Sequence, residues 1–319
     1  MATAARSDLT RFAWLSIAAA VATIALKMGA YLITDSVGLL SDALESIVNL
    51  VAAIVALIAL TVAARPADAG HHFGHTKAEY LSAVVEGAMI FVAALSIIYT
   101  AVRRLIHPVE LANVGIGLSI SVVAALLNGA VALVLIRAGR THRSMTLKAD
   151  GKHLMTDVWT SAGVVVGVLL VVVTGILRLD PIVALLVGLN IVRTGVHLLR
   201  DSVGGLLDRA MDADTQALVD GALEEFASDE VTFHAVRSRE AGHRWFVSLH
   251  VLVPGDWSVR RGHDLADAVE RRLGEVLEHV EVETHLEPRE DPRSYEAYLG
   301  VPTPDELTGT DAAGRPDLA

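Results

Sequence analysis

Two stretches of this chain place a pair of metal-capable side chains four residues apart inside apolar sequence: Glu45 with Asn49, and His153 with Asp157. On a helix, positions i and i+4 stack on one face, and Asp42 falls within about 60° of the first pair. Carboxylate, amide oxygen and neutral imidazole are all ligands of divalent cations, so two helices that each present such a pair can converge four donor atoms on one ion. An ionisable group at bilayer depth costs at least about 2.5 kcal/mol, and each therefore needs a partner or a function. A single residue of this kind is equally well satisfied by a hydrogen bond or ion pair to a neighbouring helix. Two matched pairs in helices without arginine point to coordination. Lys27, Glu86, Asn128 and Asn190 each stand alone in their helices, which suits an interhelical hydrogen bond or an ion pair near the cytoplasm.

The elements that must position these groups follow from composition. The chain has 319 residues, of which 53% are hydrophobic and only 5% aromatic, with a mean hydropathy of +0.49. Such a load of Ala, Val, Leu and Ile fits closely packed spanning helices rather than the alternating strands of a membrane barrel. Six runs are long enough to cross about 30 Å of hydrocarbon: residues 12–34, 36–64, 78–106, 111–139, 145–177 and 181–207. Residues 1–10 lack the order of a cleaved signal peptide, so the first helix is expected to stay. An even number of crossings puts both termini on one side, and the Lys and Arg count assigns that side to the cytoplasm, in a bacterial plasma or inner membrane. Cysteine is absent, which excludes disulfides, thiolate sites and thiol catalysis.

Beyond residue 208 hydropathy drops and the pattern reads α-β-β-α-β, a small two-layer α+β domain. Residues 1–208 are thus expected to form a six-helix transmembrane domain, 209–290 a soluble domain, and 291–319, rich in Pro, Gly, Asp and Thr, a disordered tail. Residues 210–290 carry 18 acidic and 8 basic side chains and hold nearly all of the net charge of -11. That balance argues against a nucleic-acid partner and is compatible with cations.

More histidines lie outside the spanning runs. Asp68, His71, His72 and His75 fall within eight residues, as a solvated polar loop or as a metal-binding one. Scattered surface histidine is the plain reading of those in the soluble domain. The chain resembles the cation diffusion facilitator family from about Phe12 to Pro288, through Leu-Ser-Asp-Ala-Leu-Glu-Ser at 40–46, His-Phe-Gly-His-Thr-Lys-Ala-Glu at 72–79, and the His153/Asp157 pair. The resemblance implies a homodimeric metal-proton antiporter with six spanning helices and a cytoplasmic ferredoxin-like domain. It implies a transport site at Glu45, Asn49, His153 and Asp157, with proton coupling through His153 and Asp157. It further implies a loop site at Asp68, His71 and His75, and a cytoplasmic cluster of His234, His250, His263, His285 and Glu287. The family usually has Asp or His at the position of Glu45, Asp at that of Asn49 and Asp at that of Glu287.

With Asn49 neutral, the four transport-site ligands carry a charge of minus two and just neutralise a divalent ion. One imidazole among three oxygen ligands is harder than a His-rich site and leaves zinc, iron, manganese and cobalt all open; the resemblance puts zinc first, with cadmium also among the expected cargoes. The expected activity is export of such a cation from the cytoplasm in exchange for protons, with the metal as substrate and regulator rather than catalytic cofactor. The competing readings are a membrane-embedded metal-dependent hydrolase and a non-transporting metal sensor. A hydrolase needs a general base and an open coordination position, and no zincin, nucleophile-elbow or phosphate-loop motif is present.

Overall fold

A computed structural model describes residues 9–34, 37–107 and 114–295, with residues 37–45 as backbone only. Six helices come first: α1 (Thr10–Thr34), α2 (Val37–Ala63), α3 (Ala78–Ile106), α4 (Val114–Thr141), α5 (Met145–Thr174) and α6 (Leu179–Leu206). Among the described residues five helical stretches are long and apolar enough to cross a membrane, and Asn49–Ala63 of α2 forms a shorter apolar one. Ala13, Ala52, Ala53, Ala56, Ala83, Ala94, Ala132 and Ala149 are fully buried, whereas Leu126, Leu133, Val172 and Val173 are more than half exposed. Small residues inside and large apolar ones outside invert the soluble pattern and mark a lipid-facing surface, because close backbone approach drives helix packing in a bilayer. The chain is a multi-pass membrane protein.

The helices pack chiefly as α3 on α6, α4 on α5 and α1 on α2. The α3–α6 seam is a backbone contact: a Cβ on Gly195 would lie 3.2 Å from Phe91 N and 3.4 Å from Gly87 O. α5 belongs to both apolar clusters of the bundle, giving Leu147 and Leu154 to one with α1, α2 and α4, and Ala149 to the other with α3 and α6. Ser144 caps its N-terminus, accepting from Leu147 N at 3.3 Å and donating its hydroxyl to the buried Glu79 of α3. Its C-terminus comes at Gly175, whose φ of 72° stops the helix short of residue 177, where hydropathy alone had carried it.

The chain divides into two compact units between Leu206 and Leu207. The second contains α7 (Ala213–Glu224), β1 (Thr232–Ala241), β2 (Arg244–Val253), α8 (Val259–Val276) and β3 (Val280–Pro288), the α-β-β-α-β order read from the sequence. β2 is central, antiparallel to β1 and parallel to β3. One sheet face buries Val247, Leu249, Val251 and Val253 against Val219, Leu223, Val269 and Leu273 of the two helices. Order does not end at residue 290. A 3-10 turn, Pro292–Tyr295, follows, held by Ser294 Oγ donating to Pro288 O at 2.8 Å and Tyr295 Oη to Arg289 O at 3.1 Å. The Arg293 guanidinium on Asp291 pulls that carboxyl down to about 2, so the expected start of the tail is an anchored turn. Residues 296–319 lie outside the described residues.

Candidate metal centres

The i, i+4 spacing on α5 stacks His153 and Asp157, and packing of α2 on α5 brings Asn49 between them. Asn49 Nδ2 donates to Asp157 Oδ2, and Asn49 Oδ1 lies 2.9 Å from His153 Nε2. The carboxylate can only accept, so it fixes the amide orientation; Oδ1 then faces the ring, and neutral His153 carries its proton on Nε2. Its Nδ1, a lone pair in that tautomer, is buried without a partner among the described residues. Asn49 and His153 are 3% and 6% exposed, and Asp157 is half-buried. The side chain of Glu45 lies outside the described residues; its backbone is in α2, one turn before Asn49.

A fourth side chain joins from α4. Asn128 Nδ2 donates to the same Asp157 Oδ2 at 3.3 Å, and its buried Oδ1 has no partner among the described residues. Sequence gave Asn128 an interhelical hydrogen bond without saying to what; an isolated amide in an apolar helix was the available signal. Asp150, one turn before His153 on α5, accepts from Ser16 of α1 at 3.1 Å and is buried as well. Glu86 accepts from Ser82 at 3.0 Å within α3.

In the α2–α3 loop, Asp68 and His71 exchange backbone hydrogen bonds at 3.1 and 3.2 Å, making a tight turn. Gly74, at φ 81°, returns its N–H to His71 O at 2.9 Å and swings His75 back. The Asp68 carboxylate then lies 3.3 Å from both His71 Nδ1 and His75 Nε2, and one donor atom from each residue fits within 4.8 Å. The Gly70 N–H, with those of His71 and its ring, holds the Asp68 carboxyl below the usual carboxylate range. His72 is exposed and outside this group.

On the sheet, register does the positioning. His234 pairs with His250 across β1–β2, and His250 with His285 across β2–β3, so three imidazoles form a row on one face. Glu287, two residues after His285, shares that face. Its carboxylate lies 2.8 Å from His234 Nε2, 3.1 Å from His250 Nδ1 and 3.6 Å from His285 Nε2. His234, His250 and Glu287 bring donor atoms within 4.8 Å of one another. His285 is the exposed rim, and His263 on the exposed side of α8 is not among the converging groups.

Six helices that hold a His-Asp-amide network are thus followed by an acidic α+β unit with a His-carboxylate cluster. Residues 13–207 match the family model of the cation efflux transmembrane domain, and residues 211–289 that of the cation efflux protein cytoplasmic domain. The chain belongs to the cation efflux family, whose members are transporters of divalent metal cations and not enzymes. An uncharacterised transporter of Synechocystis is 52% identical over 285 residues, 89% of this chain and 92% of that protein. The cation-efflux pump FieF of Shewanella oneidensis is 30% identical over 273 residues, 86% of this chain and 92% of the pump. The metal-bound C-terminal domain of the CzcD transporter from Thermotoga maritima aligns over 26% of this chain and 99% of its own length, at 26% identity and a TM-score of 0.24.

Proposed function

We propose that the chain is a homodimeric exporter that exchanges a cytoplasmic divalent transition metal, zinc first, for protons across a bacterial inner membrane, with both termini in the cytoplasm. The observation that carries this reading is the hydrogen-bonded network of buried Asn49 and His153 with half-buried Asp157 on two spanning helices. Cargo binding replaces hydrogen bonds within that network by metal–ligand bonds to Asp157, one ring nitrogen of His153, the Asn49 amide oxygen and Glu45. Asn128 holds Asp157 in place from α4. The dimer is supported by the match of residues 211–289 to a domain whose family model is named for dimerisation.

Protons are the available driving force. Moving a dication out against about 100 mV, negative inside, costs about 4.6 kcal/mol at about 2.3 kcal/mol per charge. One entering proton returns about 2.3 kcal/mol plus about 1.4 for each unit of pH difference. A single proton therefore suffices only with a steep pH gradient, and otherwise either the metal leaves down its own concentration gradient or a second group is protonated per cycle. His153 takes one, since imidazolium cannot bind a metal, and Asp157 is beside it for the other. We assign the loop and sheet clusters as further metal sites, the latter regulatory.

The test is transport by purified protein in sealed liposomes against zinc, iron, manganese, cobalt and cadmium, with internal pH recorded. Metal influx matched by opposite proton movement is expected in wild type and is lost in Asp157→Ala. Metal flux without proton movement would remove the antiport reading, and normal flux in Asp157→Ala would remove the site.

A further inference from the structure

An open cavity of about 560 Å³ lies against α5 and α6, and beside the neutral Asn190 and Thr194 its polar lining is basic: Lys152, Arg193, His197 and Arg200. On α6 the last three stand at i, i+4 and i+7, so one helix face presents them as a stripe about 10 Å long. No carboxylate is among the described residues that line it. The acid beside it, Asp201, lies 3.2 Å from His197 Nε2 and also acts on Lys152. Lys148 and Arg140 add positive potential at Lys152. Such a lining repels the transported cation.

The depth of the cavity decides what anion it suits. Lys77 Nζ donates to Leu206 O at 3.3 Å, and Ser144 donates to Glu79, so the start of α3, the start of α5 and the end of α6 share one end of the bundle. α6 has 28 residues, about 42 Å at 1.5 Å each, against about 30 Å of hydrocarbon. Arg200, about 9 Å from Leu206, therefore falls near the hydrocarbon boundary, with Arg193 a further 10 Å or so inward. The cavity wall also includes Leu189 and Val196, about half exposed, which offer an acyl chain an apolar strip beside the charges.

We propose that this cavity is a binding site for an anionic phospholipid of the leaflet at that end of the bundle, its phosphodiester held by Lys152 and Arg200 at the boundary, with Arg193 adding positive potential from below and one acyl chain lying over Leu189 and Val196. A phosphate from solution shares the headgroup chemistry but has no use for the apolar strip. Basic pockets between spanning helices recognise lipid headgroups by this combination.

The test uses the full-length protein reconstituted in phosphatidylcholine with phosphatidylglycerol, then extracted and washed, with retained lipid counted by native mass spectrometry. Wild type is expected to retain phosphatidylglycerol over phosphatidylcholine. Arg193→Gln with Arg200→Gln should lose that preference by about tenfold or more, Arg193→Lys with Arg200→Lys should keep most of it, and Arg103→Gln with Arg104→Gln should keep all of it. Equal retention in the Gln pair overturns the proposal, as does equal loss in the Arg103/Arg104 control. Displacement of the lipid from wild type by millimolar inorganic phosphate would assign the cavity to a soluble anion instead. If the Gln pair keeps the lipid and shifts the monomer–dimer balance, the stripe faces a second copy and the lipid site is wrong. Should the Gln pair not fold, the Lys pair and the phosphate competition still decide.

Discussion

Asn49 does something that an ionised acid cannot: it donates to Asp157 while accepting from His153. Replacing it by Asp would set two carboxylates in contact and leave each needing a proton or a cation. Asn49→Asp should therefore bind divalent metal more tightly at neutral pH, by about tenfold or more as ligand charge rises, and release it more slowly. Isothermal titration and the turnover rate in liposomes would check both halves. Asn128→Leu removes one of the two amide donors to Asp157 and should weaken metal binding by about tenfold, the usual effect of an outer-shell loss; normal affinity would make Asn128 a packing residue. The stacking of His153 and Asp157 was legible because helical spacing fixes which residues share a face. Asn128 was not, because nothing in a single sequence says which apolar face of α4 meets α5. Spacing also left the role of Asp150 silent, since its partner Ser16 is on α1.

Elements carry the loop and sheet sites by different means. In the loop, Asp68 holds the turn through Gly70 and His71 N–H groups at 2.8 Å each, and its lowered carboxyl keeps it anionic at neutral pH. For a depressed carboxyl the stabilisation is present above its unfolded value of about 4 and is lost as pH falls through the lower folded value. Asp68→Asn retains an oxygen for those N–H groups, so the turn should survive while loop metal affinity falls by about tenfold or more. Metal titration alongside backbone amide spectra would separate the two effects. In the soluble domain the element order was legible from alternation and helical period. The row of imidazoles was not, since it depends on a parallel β2–β3 register that alternation does not specify. The bulge between His234 and Arg237, with Ala235 at φ 48°, is likewise invisible in the pattern. His263 shows the converse: its residue type fits a metal cluster, and the helix turns it elsewhere.

At the scale of the whole molecule, charge sets the expectation for the dimer. Two soluble domains with 18 acids and 8 bases each repel one another when brought together, and bound divalent cations relieve that repulsion. Spin-label distances between the two soluble domains should shorten on metal addition, and His250→Ala with His285→Ala should remove most of the change without altering transport-site affinity. Distances that ignore metal would take regulation away from the sheet cluster. The alanine interior of the spanning bundle has a different consequence, one of friction. A side chain that ends at Cβ has no rotamer to change and no knob to lift from a hole, so Ala53 and Ala56 of α2 and Ala149 of α5 present neighbouring helices with nearly smooth surfaces. Such surfaces leave less side-chain repacking to oppose a shift of one helix along another, and in the proposed exchange cycle that would lower the barrier to moving the bundle.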